Sequence, residues 1–251
     1  MSRKFYLLPF LLLVCHFLNG QNQLLSGGET GTNLNVLYRN EAMGKVYIDT
    51  RGYGAVFRKG KQVTAKTRSF YEIDAQNLRH PKEVKVSGEA QDRKRFVYGK
   101  INGVFLIRAG LGLQHVIFTK ADSKAIEVRY SYSVGPSLAF VKPYYVQVIR
   151  NTNSSSVTES VKFNPQTFTQ DSVIGRGTWT DGLAETKIYP ALNAKFNLSF
   201  EYASYTNIIR AIELGATLDY FPKALPIMAR NPSENIVITL HIGFVFGKKW
   251  F

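Results

Sequence analysis

Leu192-Asn-Ala-Lys-Phe-Asn-Leu-Ser-Phe-Glu-Tyr202 alternates without a break. Leu192, Ala194, Phe196, Leu198, Phe200 and Tyr202 share one face, and Asn193, Lys195, Asn197, Ser199 and Glu201 share the other. Successive side chains of a strand point to opposite sides, so this is a β-strand with one apolar and one polar face. Its length matters as much as its pattern. Strands of globular sheets run about 5–6 residues, whereas a tilted strand crossing the hydrocarbon of a bilayer needs about 9–11.

The same period recurs along the chain. Ile126 to Phe140 sets Ile126, Val128, Tyr130, Tyr132, Val134, Leu138 and Phe140 against Glu127, Arg129, Ser131, Ser133, Gly135, Ser137 and Ala139, with Pro136 as a break. Ile212 to Tyr220 and Ile236 to Phe246 repeat it. Strands are predicted near 44–59, 66–78, 101–118, 125–141, 143–150, 189–203, 207–221 and 234–247, and no stretch shows a helical period of useful length. The polar faces carry charges of both signs: Asp49, Arg51, Glu72, Asp74, Arg108, Glu127, Arg129, Lys195, Glu201, Glu213 and Asp219, with His241 on the same side. Apolar-out, polar-in alternation with aromatics near strand ends is the pattern of a transmembrane β-barrel. Tyr47, Tyr71, Tyr130, Tyr144, Tyr189, Tyr202 and Tyr220 are the girdle candidates. The expected fold is all-β: a closed antiparallel transmembrane barrel of about eight strands, ten being possible. A soluble lipocalin-like barrel or sandwich is the competing architecture.

The flanks and composition agree with export. Arg3 and Lys4 precede a largely apolar stretch, Phe5 to Leu18, and Asn19-Gly20-Gln21 follows, which reads as a secretory signal peptide over 1–20. Cleavage after Gly20 removes Arg3, Lys4 and the only cysteine, Cys15, so the net charge falls from +14 to +12. A thiol-free chain excludes a disulfide scaffold and a cysteine-rich zinc module. Residues 21–43, rich in Gly, Asn and Thr, read as a flexible segment, and 44–251 as the barrel, with long loops near 79–100 and 151–188. An even strand count places both termini in the periplasm. The connections near 60–65, 119–124, 151–188 and 222–234 would then face outward, leaving 79–100 as a long segment on the short-turn side.

The signal peptide, the run Gly103-Val-Phe-Leu-Ile-Arg-Ala-Gly-Leu-Gly112 and the close Ile242-Gly-Phe-Val-Phe-Gly-Lys-Lys-Trp-Phe251 resemble the small outer-membrane β-barrel proteins of the Bacteroidota, a porin-like or accessory barrel family. Asn33-Leu-Asn-Val-Leu-Tyr-Arg-Asn40 and Tyr98-Gly-Lys-Ile-Asn102 are similar to the same group. The resemblance implies an outer-membrane location and a C-terminal aromatic read by the barrel-assembly machinery, here Phe251. Lys248 and Lys249 depart from the expected alternation, so the last strand is expected to end at Phe246. Asp171-Ser-Val173 is similar to the O-glycosylation sequence of exported proteins of that group, which makes Ser172 a modification candidate.

Chemistry is sparse. No HExxH, P-loop or EF-hand spacing occurs, so no metal or cofactor is expected. His241, Glu213 and Ser199 are the candidates for a lipid A- or phospholipid-modifying site: pairing across the 222–234 loop sets His241 beside Gly215, diagonal to Glu213 and Thr217. The competing reading is a charge network that fills a narrow lumen, since barrels of about eight strands are filled by their own side chains. A narrow channel is the third reading. Lys59, Lys61, Lys66 and Arg68, the cluster from Lys82 to Lys100, and the Lys248-Lys249 tail carry the basic excess. Their expected partners are anionic lipid phosphates of the outer membrane or the proteins of an envelope machine, and nucleic acid is not expected. The favoured function is a non-enzymatic structural or accessory subunit of a secretion or assembly complex.

Overall fold

Eight long alternating runs close on one another. In the computed structural model the described residues are 38–86, 95–119, 126–152, 155–168, 172–202, 207–229 and 231–251, without the side chains of 150–157. The expected signal peptide lies outside them. The strands are β1 (Asn40–Asp49), β2 (Gly52–Gln62), β3 (Thr67–Leu78), β4 (Lys85–Val86), β5 (Phe96–Val97), β6 (Asn102–Phe118), β7 (Glu127–Pro143), β8 (Tyr145–Thr152), β9 (Ser155–Lys162), β10 (Val173–Arg176), β11 (Lys187–Glu201), β12 (Ile208–Leu225) and β13 (Glu234–Trp250). Eight of them form a closed antiparallel barrel in the order β1-β13-β12-β11-β7-β6-β3-β2, and β2 pairs back to β1. A second sheet, β10-β8-β9, and the β4-β5 hairpin lie in the loops.

The pleat sorts the side chains as the alternation requires. Val46, Phe57, Ile73, Leu111, Val134, Leu192, Leu214 and Ile238, one from each barrel strand, are large apolar residues left exposed on the outside. Such a belt around a whole molecule is far larger than the few hundred square ångströms a water-soluble surface carries. Charges lie inside. The molecule is inverted relative to a soluble barrel, and the closed sheet leaves no unpaired edge for lipid to meet.

The strand count agrees with expectation, but two strands were misplaced. Residues 44–59 are two strands, not one. The Asp49 carboxylate accepts the Arg51 N–H (2.6 Å) and turns the chain at Thr50-Arg51. A side chain at Gly52 would put its Cβ 2.0 Å from the Asn77 carbonyl, so the residue that opens β2 must be glycine. Conversely, the expected strand at 143–150 belongs to the loop sheet. β1 also starts at Asn40, inside the segment read as flexible, and β13 runs on past Phe246 to Trp250.

The extra turn reverses the sidedness of several connections. The turn at 50–51 and the long connections 79–101, 144–186 and 226–233 share one end. The connections from β2 to β3, β6 to β7 and β11 to β12 share the other, with the start of β1 and the end of β13. The 79–100 segment therefore stands among the long loops and is no misfit. The 60–65 and 119–124 connections, expected on the outer side, lie at the end of the termini.

The described parts of the long connections pack together. Phe96, Val146, Val148, Phe163 and Val173 form a buried apolar cluster, joined by Tyr98, Tyr144 and Phe168. One loop also crosses the barrel mouth. Ile101 N–H donates to the Ile227 carbonyl (2.9 Å) and Ala229 N–H to the Gly99 carbonyl (2.8 Å), tying the exit of β12 to the start of β6.

Candidate functional site

The inner faces build the lumen in layers. Nearest the long loops it is apolar: Leu78, Val104, Leu106, Phe221, Leu225, Ile227 and Val237 pack as one cluster. Sequence reading missed this layer, because inward apolar residues near a strand end are indistinguishable from outward ones when both faces read apolar.

Below that plug lies a continuous ion-pair chain. Lys45 contacts Glu213 (2.7 Å), which also contacts Arg58 (3.3 Å); Arg58 contacts Glu72 (2.8 Å). Lys195 joins Glu72 (3.1 Å) to Asp74 (2.6 Å), and Arg108 joins Asp74 (3.0 Å) to Asp219 (2.7 Å). Four cations meet four anions, so the layer is neutral. The members come from β1, β2, β3, β6, β11 and β12 and lace the wall together across the interior. Burying charge is costly unless pairing is complete, and here each acid touches two cations or, for Asp219, one Arg through two nitrogens (2.8 and 2.7 Å). Tyr47 donates to Asp74 (2.8 Å), and Ser133 to Glu72 (2.9 Å).

A second neutral layer lies toward the termini, beyond Met43, Ile209, Ala211 and Val245. Glu41 contacts Arg68 (2.7 Å) and Arg129 (3.6 Å). Arg129 contacts Glu127 (2.5 Å) and Glu201 (2.5 Å), and Lys249 contacts Glu201 (2.9 Å). At the opposite mouth Arg51 contacts Glu234 (2.5 Å), His80 lies 3.4 Å from the same carboxylate, and Gln76 donates to Asp49 (2.6 Å).

The structure thus places Glu72, Asp74, Arg108, Arg129, Lys195, Glu201, Glu213, Asp219 and His241 inside the wall, with Glu127, Asp49 and Arg51 near its two ends. Sequence reading missed Lys45, Arg58, Glu41, Arg68 and Lys249. Arg58 was hidden by the single-strand reading of 44–59: the turn at 50–51 shifts the inward parity from odd positions in β1 to even positions in β2, and one slip of parity exchanges the faces. Lys249 was read as part of a basic tail and is a lumen residue. Two girdle tyrosines also turn inward, Tyr47 to Asp74 and Tyr189 to the apolar plug, and Tyr144 belongs to the loop cluster. Tyr71, Tyr202 and Tyr220 face outward.

The enzymatic constellation is not assembled. His241 does stand opposite Gly215. Its Nε2 lies 2.9 Å from Asn197 Oδ1 and 3.3 Å from Lys45 Nζ, and its ring lies 5.3 Å from that of Tyr47, tilted by 50°. The Glu213 carboxylate is taken by Lys45 and Arg58. Ser199 lies opposite Glu213 in the ladder and forms no hydrogen bond with His241. The space between Lys45, Arg58, Glu213 and the Met43–Val245 layer has no room for a water molecule, let alone a lipid ester. Among the described residues no His, Cys, Asp or Glu group is spaced to hold a metal ion.

Ser172 is exposed and immediately precedes β10. Phe246 projects outward against Gly44, and the Phe251 ring lies 5.2 Å from that of Tyr38 in a tilted arrangement.

These features define a class: an eight-stranded barrel with an apolar exterior, a filled and charge-balanced interior, and an ordered assembly of loops at one end. No known protein family matches the chain, and no curated protein sequence matches it. Among solved structures it is similar to Neisserial surface protein A, with a TM-score of 0.41 and 10% identity over 85% of this chain and 97% of that one. It is similar to Ail, the attachment invasion locus protein of Yersinia pestis, in complex with the heparin analogue sucrose octasulfate (TM-score 0.39, 8% identity, 85% and 100% of the two chains). It is also similar to the N-terminal β-barrel domain of Pseudomonas aeruginosa OprF (TM-score 0.39, 8% identity, 84% and 99%).

Proposed function

We propose that the chain is a small outer-membrane barrel of the Bacteroidota kind, exported by its N-terminal signal and held with both termini toward the periplasm. In this reading it is a non-conducting, non-enzymatic accessory subunit of an envelope machine. The barrel anchors, and the loop assembly built on β4-β5 and β8-β9-β10 makes the partner contact. The observation that supports this is the lumen, where paired charges lie below an apolar plug and the Glu213 carboxylate is held by Lys45 and Arg58 instead of by His241. Shutting the interior while ordering the loops is the economy of a scaffold.

Two measurements test it. Purified protein in a planar bilayer should show no ohmic conductance steps; reproducible steps would return the narrow-channel reading. Extraction in mild detergent should bring down a stoichiometric envelope partner, lost when residues 155–176 are replaced by a short Gly-Ser linker. A barrel that emerges alone would refute the accessory role.

A further inference from the structure

The barrel wall and the described loop segments border a half-open cleft of about 520 Å³ that is lined mainly by apolar surface. That volume lies within the roughly 300–1,000 Å³ of small-ligand sites. Its floor is the outward face of the β6–β7 pair at the long-loop end, where Gly103 stands opposite Lys142 and Phe105 opposite Phe140. Its overhanging wall is the segment from Arg176 to Thr186, with Trp179 and Leu183.

The wall is built, not draped. Gly177 N–H donates to the Tyr145 carbonyl (2.9 Å). Gly182 has a positive φ of 77°, and a Cβ there would meet the Tyr145 ring at 2.6 Å, so only glycine lets this turn close on Tyr145. Tyr145 in turn donates to Glu185 (2.5 Å). The floor has room to spare, since a Cβ on Gly103 would meet nothing within 4 Å.

Two properties identify the occupant. First, the floor continues directly into the lipid-facing belt: the next outward pair down the same two strands is Ile107 and Leu138, both exposed. A chain lying on that belt enters the groove without leaving apolar contact. Second, the upper end is cationic. Lys142 sits over the Trp179 ring (5.2 Å) and donates to the Trp179 carbonyl, and Arg176 lines the same space. The single acid of the lining, Asp181, is engaged by Thr178 N–H (2.8 Å) and the Ser160 hydroxyl (2.5 Å), while Lys100 is paired with Glu83 (2.8 Å). Among the described residues neither Lys142 nor Arg176 forms an ion pair, although the Asp181 carboxylate stands near enough to favour the Lys142 charge against burial and the neighbouring Arg176.

We infer that this groove binds one acyl chain of a phosphate-headed membrane lipid, with the chain on Gly103, Phe105 and Phe140 and the phosphate between Lys142 and Arg176. The site requires the barrel to stand in a bilayer, and it does not depend on the accessory role.

Trp179 makes the site readable. The chain has two tryptophans, and Trp250→Phe leaves Trp179 alone to report. The protein is placed in phosphatidylcholine nanodiscs doped with phosphatidic acid or phosphatidylcholine carrying brominated acyl chains. Brominated phosphatidic acid should quench Trp179 saturably, at a mole fraction about tenfold lower than brominated phosphatidylcholine, as two cations near a membrane surface allow. Gly103→Leu places its Cβ in open space, fills the floor and keeps both cations, so it should abolish the saturable quenching. Lys142→Gln with Arg176→Gln should remove the headgroup preference while the chain still quenches. Equal quenching by the two lipids, or quenching indifferent to Gly103→Leu in a barrel that still migrates as folded on unheated gels, overturns the site alone. A polypeptide that stays folded in water and does not enter nanodiscs overturns the bilayer reading with it.

Discussion

Arg108 offers the sharpest test of the lumen. It is 1% exposed and its guanidinium reaches Asp219 twice, Asp74 once, and the Gln76 side-chain carbonyl. At an effective dielectric constant near 20, each carboxylate contact at this range amounts to roughly 6 kcal/mol of Coulomb attraction before desolvation is subtracted. Arg108→Met keeps the bulk and removes the charge. Asp74 retains Lys195, but Asp219 loses its only ion-pair partner among the described residues. An uncompensated buried charge costs about 3–5 kcal/mol. Asp219→Leu alone leaves the converse excess and should cost a similar amount. The double variant restores neutrality with apolar side chains in a layer that already touches the Phe221–Val237 plug. It should therefore lose far less than the sum, with a coupling of about 2 kcal/mol or more. Reversible urea unfolding of the barrel in phospholipid vesicles, followed by tryptophan fluorescence and by the shift between folded and heated forms on gels, measures all three. A single variant costing under about 1 kcal/mol, or strictly additive losses, would show that the charges are hydrated and that the lumen is not the closed ionic layer described here.

Three further outcomes follow from particular contacts. Asn193 donates from Nδ2 to the carbonyls of Gly135 (2.9 Å) and Pro136 (3.0 Å), where proline has no N–H to give and the β6–β7 ladder is interrupted; Asn193→Leu should cost about 1–3 kcal/mol for each acceptor left bare, read in the same urea titration. Gly135→Ala would place a Cβ 2.0 Å from the Ala109 carbonyl, which is backbone and cannot yield, so refolding into detergent should give little or none of the heat-modifiable form, whereas Gly103→Ala refolds normally. His80, in the loop above the barrel mouth, has its imidazolium disfavoured chiefly by burial and further by Arg51, against the pull of Glu234, so its pKa lies below the ordinary 6.5. A base whose folded pKa is depressed leaves the fold unaffected above the ordinary value and weakens it as the pH drops from there toward the lowered one; carbon-13 titration of the labelled imidazole should place its midpoint below 6.5, and a midpoint at or above that value would refute the burial argument.

Much of this was open to a reader of the sequence, and the losses have definite causes. Strands from Leu192 to Tyr202 and from Ile236 to Phe246 are legible because one face is uniformly apolar and no turn interrupts them. Their pairing is legible too: antiparallel pairing of β12 with β13 sets His241 opposite Gly215. The region 44–62 failed because its turn is carried by one aspartate side chain and the Asp-Thr-Arg-Gly sequence lacks the Asn-Gly or Asp-Gly dipeptide that signals a tight hairpin. The cost was large, since the parity of β2, the sidedness of several connections and the inward place of Arg58 all hang on that turn. The stretch 143–150 alternates as a barrel strand does, and alternation cannot say whether a strand pairs with the wall or with a loop. The candidate groove left no sequence trace at all, because Gly103, Lys142 and Trp179 come together only through the register of β6 on β7 and the fold of a distant loop.

The balance of charge ties the interior to the surface. Both ion-pair layers are neutral, with Glu72, Asp74, Asp219 and Glu213 matched by Lys45, Arg58, Arg108 and Lys195, and Glu41, Glu127 and Glu201 matched by Arg68, Arg129 and Lys249. These layers draw equally on 32 basic and 18 acidic residues, so the whole +14 excess belongs outside them. The asymmetry has an energetic basis. An unmatched charge in the wall costs several kcal/mol, while an unmatched exposed one costs little. Acids are therefore held where folding demands them, and the remaining surface is left basic. A surface poor in carboxylates meets anionic phosphates without like-charge repulsion. Neutralising the interior leaves the basic excess of the chain unchanged and confines it to the rest of the molecule, where Lys142 and Arg176 line an apolar cleft at the loop end.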